Sequence, residues 1–593
     1  MKVLGYSGFD RSISFKRARF PDLASREYRI AQGLDSAVAL VDSTGVRFAA
    51  AEERFSGVKS TGAFPIGAIR ACLEHARLKP EAIDVVAHAF AYDCVQPLFT
   101  HDEFSRAQYA EVYDPALQLE YLRTHVADID WAGRFVAVPH HLAHAASAFY
   151  QSGFADSLIL VSDGMGETQS ASVLLGSEGG LRPLASIPSF HSLGVLYSIF
   201  TLYLGFAFNM DEYKVMGLAP YGDEQRYLAR VMDLVRLCDD GTYTIPFFAE
   251  DRTLEEQQTH RGMLRALTEM FGPPREPEGP MEQRFMDLAA ALQGVLQICQ
   301  MHVLAHFAEE TGARQLCMAG GVALNCTANG VIRRSRIFDD VFVQPASGDD
   351  GAGLGAALYV AHERAPRRPR SRIAPPLWGP GYDADAIERA VRGFDEVAVH
   401  RFDSYEMLAE EAARRIAGGE IIGWFQGRME FGPRALGNRS ILADPRAPDM
   451  RDRVNMLVKK RENFRPFAPA VTAEAAAEYF EIDPGDERTY EHMLFTMPVR
   501  PEYRDRLPAI THVDGSARLQ TVSRSGNERF WLLLDAVGRI TGMPIVLNTS
   551  FNVRGQPIVC TPEEAIRTFL LARLDALVIG DLLILPPGRT VVR

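Results

Sequence analysis

The sequence PIVLNTSFNVRGQP, residues 544–557, changes abruptly from a β-branched run to small and amide residues. The run at 545–547 predicts a buried strand, because β-branched side chains favour strands. The polar and charged residues that follow are Asn548, Thr549, Ser550, Asn552 and Arg554. A strand that only packed would not end in this way, so the stretch predicts an α/β sheet that presents polar groups to a ligand at its edge.

A second segment of this kind, GWFQGRMEFGPRALGNRS at residues 423–440, is followed by KKRENFRPFAP at 459–469. A charge run is usually a solvated surface. Here the arginines alternate with Gly, Pro and aromatic residues, which keep a backbone close and stiff beside a ligand. Guanidinium groups bind phosphate and carboxylate oxygens in pairs, and a lysine adds a point charge. The region therefore predicts a phosphorylated small molecule or a nucleotide as ligand, with Arg428, Arg434, Arg439, Lys459 and Arg465 as candidate contacts.

Length and composition restrict the class of protein. The chain has 593 residues, 47% of them hydrophobic, which is enough for at least two domains. A net charge of -13 argues against a general nucleic-acid binder. The seven cysteines contain no CxxC pair, which favours a reducing compartment. We expect neither a signal peptide nor an apolar run of transmembrane length, so we predict a cytoplasmic protein without membrane or nucleic-acid partners.

A basic, Pro-rich stretch at 364–372, followed by Pro375 and Pro376, marks the clearest break in composition. Such a stretch cannot hold a helix or a central strand, so we predict a linker at 366–376 between domains 1–365 and 377–593. Before the break, the apolar runs at 158–163, 316–319 and 341–343 each lead into Gly and Asp residues. Strands that end in this way predict two α/β subdomains that face a cleft.

Two histidines and two aspartates form a candidate metal site. His140 and His144 are four residues apart in an Ala-rich, helix-favouring stretch, so their side chains share one face. A histidine pair alone is more often packing. Asp163 and Asp349 strengthen the metal interpretation, because each follows a buried strand, where an unpaired carboxylate is costly. This ligand set suits iron(II), manganese or zinc. His141 points elsewhere and could be a base or a structural residue.

Seven motifs together resemble the NodU/CmcH carbamoyltransferases, which include the cephamycin and nebramycin tailoring enzymes. They are HHLAHA at 140–145, DGMGE at 163–167, KVMGLA at 214–219, GGVALN at 320–325, GPRALGNRS at 432–440, RPFAP at 465–469 and LNTSFN at 547–552. The resemblance implies an N-terminal ASKHA-type domain, actin-like and similar to the tRNA threonylcarbamoyl transferases, followed by a YrdC-like α/β domain.

The resemblance also implies the chemistry. The YrdC-like domain would convert carbamoyl phosphate and ATP, with Mg²⁺, to carbamoyl adenylate, and the first domain would transfer the carbamoyl group to a hydroxyl of an antibiotic or related secondary metabolite. The implied metal ligands are His140, His144, Asp163 and Asp349, with Fe²⁺ favoured over Mn²⁺ or Zn²⁺. The implied adenylate contacts are Gly320, Gly321, Asn325, Lys214 and Gly164. The implied activation residues are Lys459, Arg461, Arg465, Arg434, Arg439, Arg518, Asn548, Ser550, Asn552 and Arg554, with His512 a weaker candidate.

The chain departs from the family pattern near its start. An insertion spans about residues 10–32, and Leu34 stands where family members carry a histidine before Asp35. Asp35 or His141 could replace that histidine, so we expect an unusual acceptor pocket. Two alternatives stay open: an enzyme of the tRNA threonylcarbamoylation type, which the acidic composition disfavours, and a nucleotide- and metal-binding regulator. The acceptor, the native metal and the oligomeric state, a homodimer included, are not fixed by the sequence.

Overall fold

The computed structural model describes residues 1–365, 371–459, 462 and 464–588, with only the backbone of Lys459. The chain divides into two units, one of Met1–Glu53 with Ser60–Ile373 and one of Arg54–Lys59 with Ala374 onward. The break after Ile373 falls inside the predicted linker, of which residues 366–370 lie outside the described part. The grouping of residues 54–59 with the second unit was not predicted.

The first unit contains two five-stranded sheets with the same order. Their strands are β1 (Val3–Tyr6), β2 (Ala37–Asp42), β3 (Gly45–Ala51), β4 (Val85–His88) and β5 (Phe135–Ala137), then β6 (Ser157–Ser162), β7 (Gln169–Ser177), β8 (Gly180–Pro188), β11 (Gln315–Ala319) and β12 (Asp340–Val343), with the pair β9 (Arg236–Leu237) and β10 (Tyr243–Thr244) outside them. The first sheet has the order β3-β2-β1-β4-β5 and the second β8-β7-β6-β11-β12. In both, three antiparallel strands are followed by two parallel ones. The unit is therefore a duplicated α/β structure, as the sequence predicted for its class.

The helices of this unit lie between these strands in sequence, except the last, which follows β12. They are α1 (Ser12–Arg19), α2 (Glu53–Ser56, whose last residues group with the second unit), α3 (Ile66–Ala76), α4 (Glu103–Gln108), α5 (Pro115–His125), α6 (His140–Ser152), α7 (Leu193–Tyr203), α8 (Glu212–Leu218), α9 (Leu228–Met232), α10 (Leu254–Thr259), α11 (Arg261–Phe271), α12 (Gln283–Thr311), α13 (Cys326–Ser335) and α14 (Asp349–Arg364). A π-helical turn, Tyr109–Tyr113, follows α4.

Glycines bring α14 close to both α6 and β1. A Cβ on Gly355 would lie 1.8 Å from the carbonyl oxygen of Ala143, and one on Gly5 would lie 2.1 Å from that of Gly353. Such distances exclude any side chain at Gly5 and Gly355 unless the backbone shifts. Gly5 lies within β1, where it permits this close approach. The contact places the start of α14 beside the start of α6.

The second unit contains an eight-stranded sheet of order β13-β22-β21-β14-β15-β20-β16-β19. Its strands are β13 (Ala398–Arg401), β14 (Ile422–Phe425), β15 (Arg439–Ala443), β16 (Ala468–Thr472), β19 (Gln520–Val522), β20 (Ile545–Ser550), β21 (Ala576–Ile579) and β22 (Leu582–Leu585), with a separate pair β17 (Thr496–Pro498) and β18 (Ser516–Arg518). Its helices are α15 (Ala384–Val391), α16 (Tyr405–Ala417), α17 (Met450–Val454), α18 (Ala476–Tyr479), α19 (Pro501–Arg504), α20 (Glu528–Thr541) and α21 (Pro562–Leu571). Helices α16 and α20 pack together over a core that includes Trp424 and Phe530.

Strand β20 corrects one prediction from the sequence. The strand does not end at Leu547 but continues to Ser550, so Asn548 and Thr549 lie within it. It pairs antiparallel with β15 and β16 on its two sides, inside the sheet. The argument from the carboxyl edge of a parallel sheet therefore does not apply to these residues.

Helix α12 corrects another expectation. With 29 residues and an apolar composition, α12 is long enough to cross a membrane, although we expected no such run. In its most apolar window, 72% of the residues are buried inside the protein, as in the central helix of a globular unit.

The insertion at 10–32 forms α1 and a loop that packs within the first unit. Lys16 on α1 is buried, and its ammonium group donates to the carbonyl oxygens of Ile30 and Gln258. Burial lowers the pKa of Lys16 to about 7, and the nearby Glu27 only partly opposes this shift. A neutral amine still has two N–H donors for these two carbonyl groups. Lys16 therefore connects the insertion to α10 without requiring a charge.

We predict that this lysine makes the first unit more stable at alkaline pH. The unfolded chain keeps Lys16 protonated up to a pH of about 10.4. The folded protein loses that proton near the pKa of about 7. The unfolded state therefore binds more protons between these values, and stability rises with pH. Relative to Lys16→Met, the free energy of unfolding of the wild type should rise by about 2 kcal/mol between pH 7 and pH 9. Calorimetry should show this as a change of a few degrees in the difference between the unfolding temperatures of the two proteins. Parallel pH curves for the two proteins would contradict the prediction.

Candidate metal centre and cationic region

The predicted metal ligands of the first unit converge. His140 and His144 lie on α6 with their Nε2 atoms 3.0 Å apart. His140 Nε2 is 3.3 Å from Asp163 Oδ2 and 3.4 Å from Asp349 Oδ1, and His144 Nε2 is 4.0 and 3.7 Å from the same atoms. One nitrogen or oxygen atom from each residue lies within 4.8 Å of all the others. Both histidines are fully buried.

The surroundings of His140 fix the direction of its ring. Its Nδ1 is 3.0 Å from the carbonyl oxygen of Ala89, so Nδ1 carries a hydrogen and donates it. The ring of Phe90 stacks on the imidazole at 4.2 Å and 8°. The lone pair of Nε2 is thereby directed at the carboxylates. Ligating histidines are commonly held by such a second hydrogen bond.

Asp163 follows β6 and is held by a glycine turn. Its Oδ1 accepts the backbone N–H of Gly321 at 2.8 Å, which leaves Oδ2 facing the histidines. Gly320 has φ of 90°, and a Cβ there would lie 2.3 Å from the carbonyl oxygen of Ser162. The turn after β11 therefore requires glycine to come this close to Asp163.

The charges of the four residues depend on one another. Burial lowers the pKa of His140, but Asp349 and Asp163 outweigh burial and raise that pKa well above its usual value. Burial raises the pKa of Asp163, but His140 and His144 shift it further in the opposite direction, well below its usual value. The pKa of Asp349 is lowered by His140 in the same way, against burial. Two carboxylates beside two imidazoles thus require a positive charge between them.

These residues fit a divalent metal ion. Two Nε2 lone pairs at 3.0 Å repel each other unless a proton or a cation lies between them. Two imidazoles and two carboxylates form a mixed nitrogen and oxygen ligand set that suits Fe²⁺, Mn²⁺ or Zn²⁺. Asp349 is partly exposed, so the cluster is accessible from one side.

The candidate bases occupy different environments. His141 Nδ1 lies 2.8 Å from Ser172 Oγ, which donates to Gln169, so His141 donates through Nδ1. Burial and the neighbouring His140 lower the pKa of His141 to about 3, and the ring is neutral. Asp35 has a left-handed backbone with φ of 55°. Burial and Glu53 raise the pKa of Asp35 to about 6. Among the candidates named from the sequence, Asp35 is the one placed to change charge near neutral pH.

Three of the predicted adenylate contacts, Asn325, Lys214 and Gly164, form hydrogen bonds or an ion pair within the protein. Asn325 caps α13 by accepting the N–H of Ala328, and it exchanges two side-chain hydrogen bonds with Gln293 of α12 at 3.1 and 2.9 Å. Tyr197 donates to the same glutamine. Lys214 forms an ion pair with Asp211 at 3.0 Å. Gly164 lies in the loop after Asp163, and its carbonyl oxygen accepts from Ser192. Gln293 and Tyr197 were missed, since a glutamine within an apolar helix has no motif of its own.

In the second unit, Arg439 has a different environment from the one predicted. Its side chain is fully buried, and its guanidinium lies 3.6 Å from the ring centre of Phe425. The group donates to the carbonyl oxygens of Gln426, Asn438, Pro380 and Gly427, at 2.7 to 3.2 Å. These contacts argue for a structural role and against contact with phosphate.

The loop before β15 is arranged around Glu430, a buried residue for which no role was predicted from the sequence. Glu430 Oε1 accepts the backbone N–H groups of Leu436, Asn438 and Arg439 at 2.8, 2.7 and 3.1 Å. The carboxylate thus organises the segment that carries Arg434, which is half-buried.

The remaining activation candidates are distributed as follows. Asn548 is buried and donates to Ala435 and Gln520, so its amide group also supports the fold. Ser550 donates to Asn552, which donates to the carbonyl oxygen of Gln556, and Arg554 is exposed.

The other cationic candidates lie elsewhere in the second unit. Arg465 lies 3.7 Å from Glu462. Arg518 ends β18 near His512, whose pKa is lowered to about 4 by burial, with Arg518 and Arg451 acting in the same direction. The side chain of Lys459 and all of Arg461 lie outside the described residues.

The duplicated sheets and the buried cluster define the class: a two-unit α/β protein with a candidate metal centre in its first unit. Comparison with known proteins then gives the family. The protein-family model for the carbamoyltransferase N-terminus matches residues 31–358, and the one for the carbamoyltransferase C-terminus matches residues 413–585. The chain belongs to the carbamoyltransferase family, so it is an enzyme of carbamoyl transfer.

Individual relatives agree with this assignment. The chain is similar to nodulation protein NolNO of Sinorhizobium fredii, 42% identical over 554 residues that cover 93% of this chain and 78% of that protein. Nodulation protein NolO of Bradyrhizobium diazoefficiens is 44% identical over 447 residues, which cover 75% of this chain and 78% of that one. Among solved structures, full-length HypF in its phosphate- and nucleotide-bound form is 15% identical, with a TM-score of 0.28, and covers 60% of this chain and 55% of that one. A score this low supports no further assignment.

Proposed function

We propose that this carbamoyltransferase is an ATP-dependent O-carbamoyltransferase that modifies a hydroxyl group of a natural product. Carbamoyl phosphate, ATP and water would give carbamoyl adenylate, phosphate and pyrophosphate. The acceptor hydroxyl would then attack the carbamoyl carbon and release AMP. The observation that carries the proposal is the convergence of His140, His144, Asp163 and Asp349 within 4.8 Å, at a site connected through Asp163 to the Gly320–Gly321 turn.

The architecture supports this division of labour. Two sheets of the same strand order within one unit fit an ASKHA-type domain, and we propose a YrdC-like role in activation for the second unit. ATP and Mg²⁺ would be used in the second unit, and the protein would work in the cytoplasm. Joining carbamate to AMP supplies the leaving group that carbamate itself lacks.

The first unit would hold the metal ion and the adenylate. The four converging side chains are the proposed ligands, with Fe²⁺ favoured, and a bound ion would polarise the carbamoyl oxygen as a Lewis acid. The turn at Gly320 and Gly321 lies against Ser162 and Asp163, next to the proposed metal ligand. Asn325 keeps the start of α13 in place through Gln293. Asp35, with a pKa of about 6, is the proposed acceptor of the hydroxyl proton.

The second unit would neutralise phosphate charge as the adenylate forms. Arg434, Arg465, Arg518, Arg554, Lys459 and Arg461 remain the proposed cationic contacts. Positioned cations stabilise the charge that develops on phosphoryl oxygens. The buried Arg439 and Asn548 would instead hold the backbone that presents these groups.

The proposal predicts that the purified protein forms AMP and pyrophosphate from labelled ATP only when carbamoyl phosphate and Mg²⁺ are present. Lys459→Ala should abolish this ATP consumption, whereas Lys79→Ala, which removes an exposed lysine of the first unit, should not change it. Mass spectrometry of hydroxylated antibiotics incubated with the enzyme should show one with an added carbamoyl group. Absence of AMP formation dependent on carbamoyl phosphate, with every acceptor tried, would contradict the proposal.

A further inference from the structure

The hairpin loop between β6 and β7 carries a carboxylate at each end, and each carboxylate contacts α6. Asp163, at its start, directs Oδ2 toward the histidines of the candidate metal centre. Glu167, near its end, directs its carboxylate to the start of α6, the helix that carries both histidines. Asp163 was predicted from the sequence as a metal ligand, whereas no role was predicted for Glu167.

Glu167 holds two segments around His140. Its Oε1 accepts the backbone N–H of His140 at 3.0 Å and that of Ala91 at 2.7 Å, and its Oε2 is 3.2 Å from the same N–H of His140. The residue before α6 is Pro139, which supplies no side-chain cap. Glu167 therefore takes the place of the cap, and a carboxylate is favourable at a helix N-terminus.

The bond to Ala91 matters for the imidazole itself. The segment that Glu167 fixes includes Ala89, whose carbonyl oxygen accepts from Nδ1 of His140, and Phe90, whose ring stacks on it. One carboxylate thus sets the position of the backbone of His140 and the position of both groups that orient its ring.

Gln32, the last residue of the insertion, holds the middle of the loop. Its side-chain amide donates to the carbonyl oxygens of Met165 and Gly166 at 2.7 and 3.0 Å, and it accepts from the hydroxyl of Tyr92. Gln32 is buried, and Tyr92 stacks on Tyr113 at 4.1 Å. The loop is therefore fixed at three points: Asp163, the carbonyl pair and Glu167.

We propose that Glu167 and Gln32 are positioning residues of the metal centre, and that the insertion acts on this centre through Gln32. The inference rests on the proposed metal site. Outer partners of ligating histidines typically change metal affinity by about 10- to 100-fold when they are replaced. We expect an effect of this size for Glu167→Gln, because the amide group presents an N–H where a backbone N–H needs an acceptor. We expect about 3- to 10-fold for Gln32→Leu, which leaves two carbonyl groups unpaired.

The test uses Co²⁺ as the probe, titrated into the metal-free full chain against a chelator and followed by its visible absorption. The matched controls are Glu52→Gln, a buried carboxylate that caps α3 through Gly67 and Ala68, and Gln118→Leu, a buried amide that accepts from Tyr6. Both controls should bind Co²⁺ within about twofold of wild type. Glu167→Gln should bind more weakly and show a changed spectrum.

Thermal unfolding of the metal-free proteins separates positioning from general loss of structure. Glu167→Asp keeps the charge but shortens the side chain, and it should also weaken Co²⁺ binding if position is what matters. If Glu167→Gln and Glu167→Asp both keep the affinity and spectrum of wild type, or lose no more affinity than the equally destabilised Glu52→Gln, the inference is wrong. A wild-type protein that binds no Co²⁺ would instead overturn the metal centre itself, and the inference with it.

Discussion

Replacing His140 with alanine is expected to remove bound metal and reduce carbamoyl transfer by about 100- to 10,000-fold, while adenylate formation stays near the wild-type rate. His140 contributes the nitrogen closest to both carboxylates, at 3.3 and 3.4 Å. Its loss leaves Asp163 and Asp349 with one imidazole for two negative charges. The activation candidates belong to the second unit, so the variant leaves them unchanged. Metal analysis, AMP release and product formation measure the three properties separately.

His362→Ala is the matched control for this variant. His362 is also a buried helical histidine of the first unit, stacked on Tyr150 at 3.7 Å, but no atom of it belongs to the four-residue cluster. It should keep its metal content and transfer rate after correction for any loss of stability. Equal loss of adenylate formation and transfer in His140→Ala would refute the assignment of the two steps to different sites.

The sequence was sufficient to select the four residues of the candidate metal cluster, and the reason is geometric. His140 and His144 are related by the helical repeat, which is local, and Asp163 and Asp349 each follow a strand. Strand ends of one sheet lie at one edge, so their neighbourhood can be inferred before the fold is known. The duplicated sheet order and the close contact of α14 with α6 were learned only from the structure. The glycines that follow Asp349 and permit this contact are present in the sequence, but they do not reveal which helix packs against them.

The supporting residues could not be predicted in the same way. Gln32 and Glu167 act through hydrogen bonds to backbone groups distant in sequence, such as Met165 for Gln32 and Ala91 for Glu167. Such bonds depend on tertiary contacts and leave no periodic pattern. Arg439 shows the converse: its motif resembles those of the other arginines, yet its side chain, at the start of β15, is buried in the core. A motif identifies residues that matter without separating those that contact ligand from those that hold the backbone.

Arg439→Met is expected to destabilise the second unit by about 3–5 kcal/mol, because a buried cation is removed and its partners stay behind. Methionine preserves much of the volume over Phe425 but removes the donor to the carbonyl oxygens of Gln426 and Gly427. The carbonyl oxygens of Asn438 and Pro380 keep the backbone N–H groups that they also accept. Unpaired buried polar groups cost about 1–3 kcal/mol each before the structure relaxes. Trp378, Trp424 and Trp531 belong to this unit, so urea unfolding followed by fluorescence reports on it. The exposed Arg554→Met should unfold as wild type does. If Arg439→Met instead keeps the wild-type midpoint and loses ATP consumption, Arg439 acts on ligand, and its bonds to the carbonyl groups contribute little to the fold.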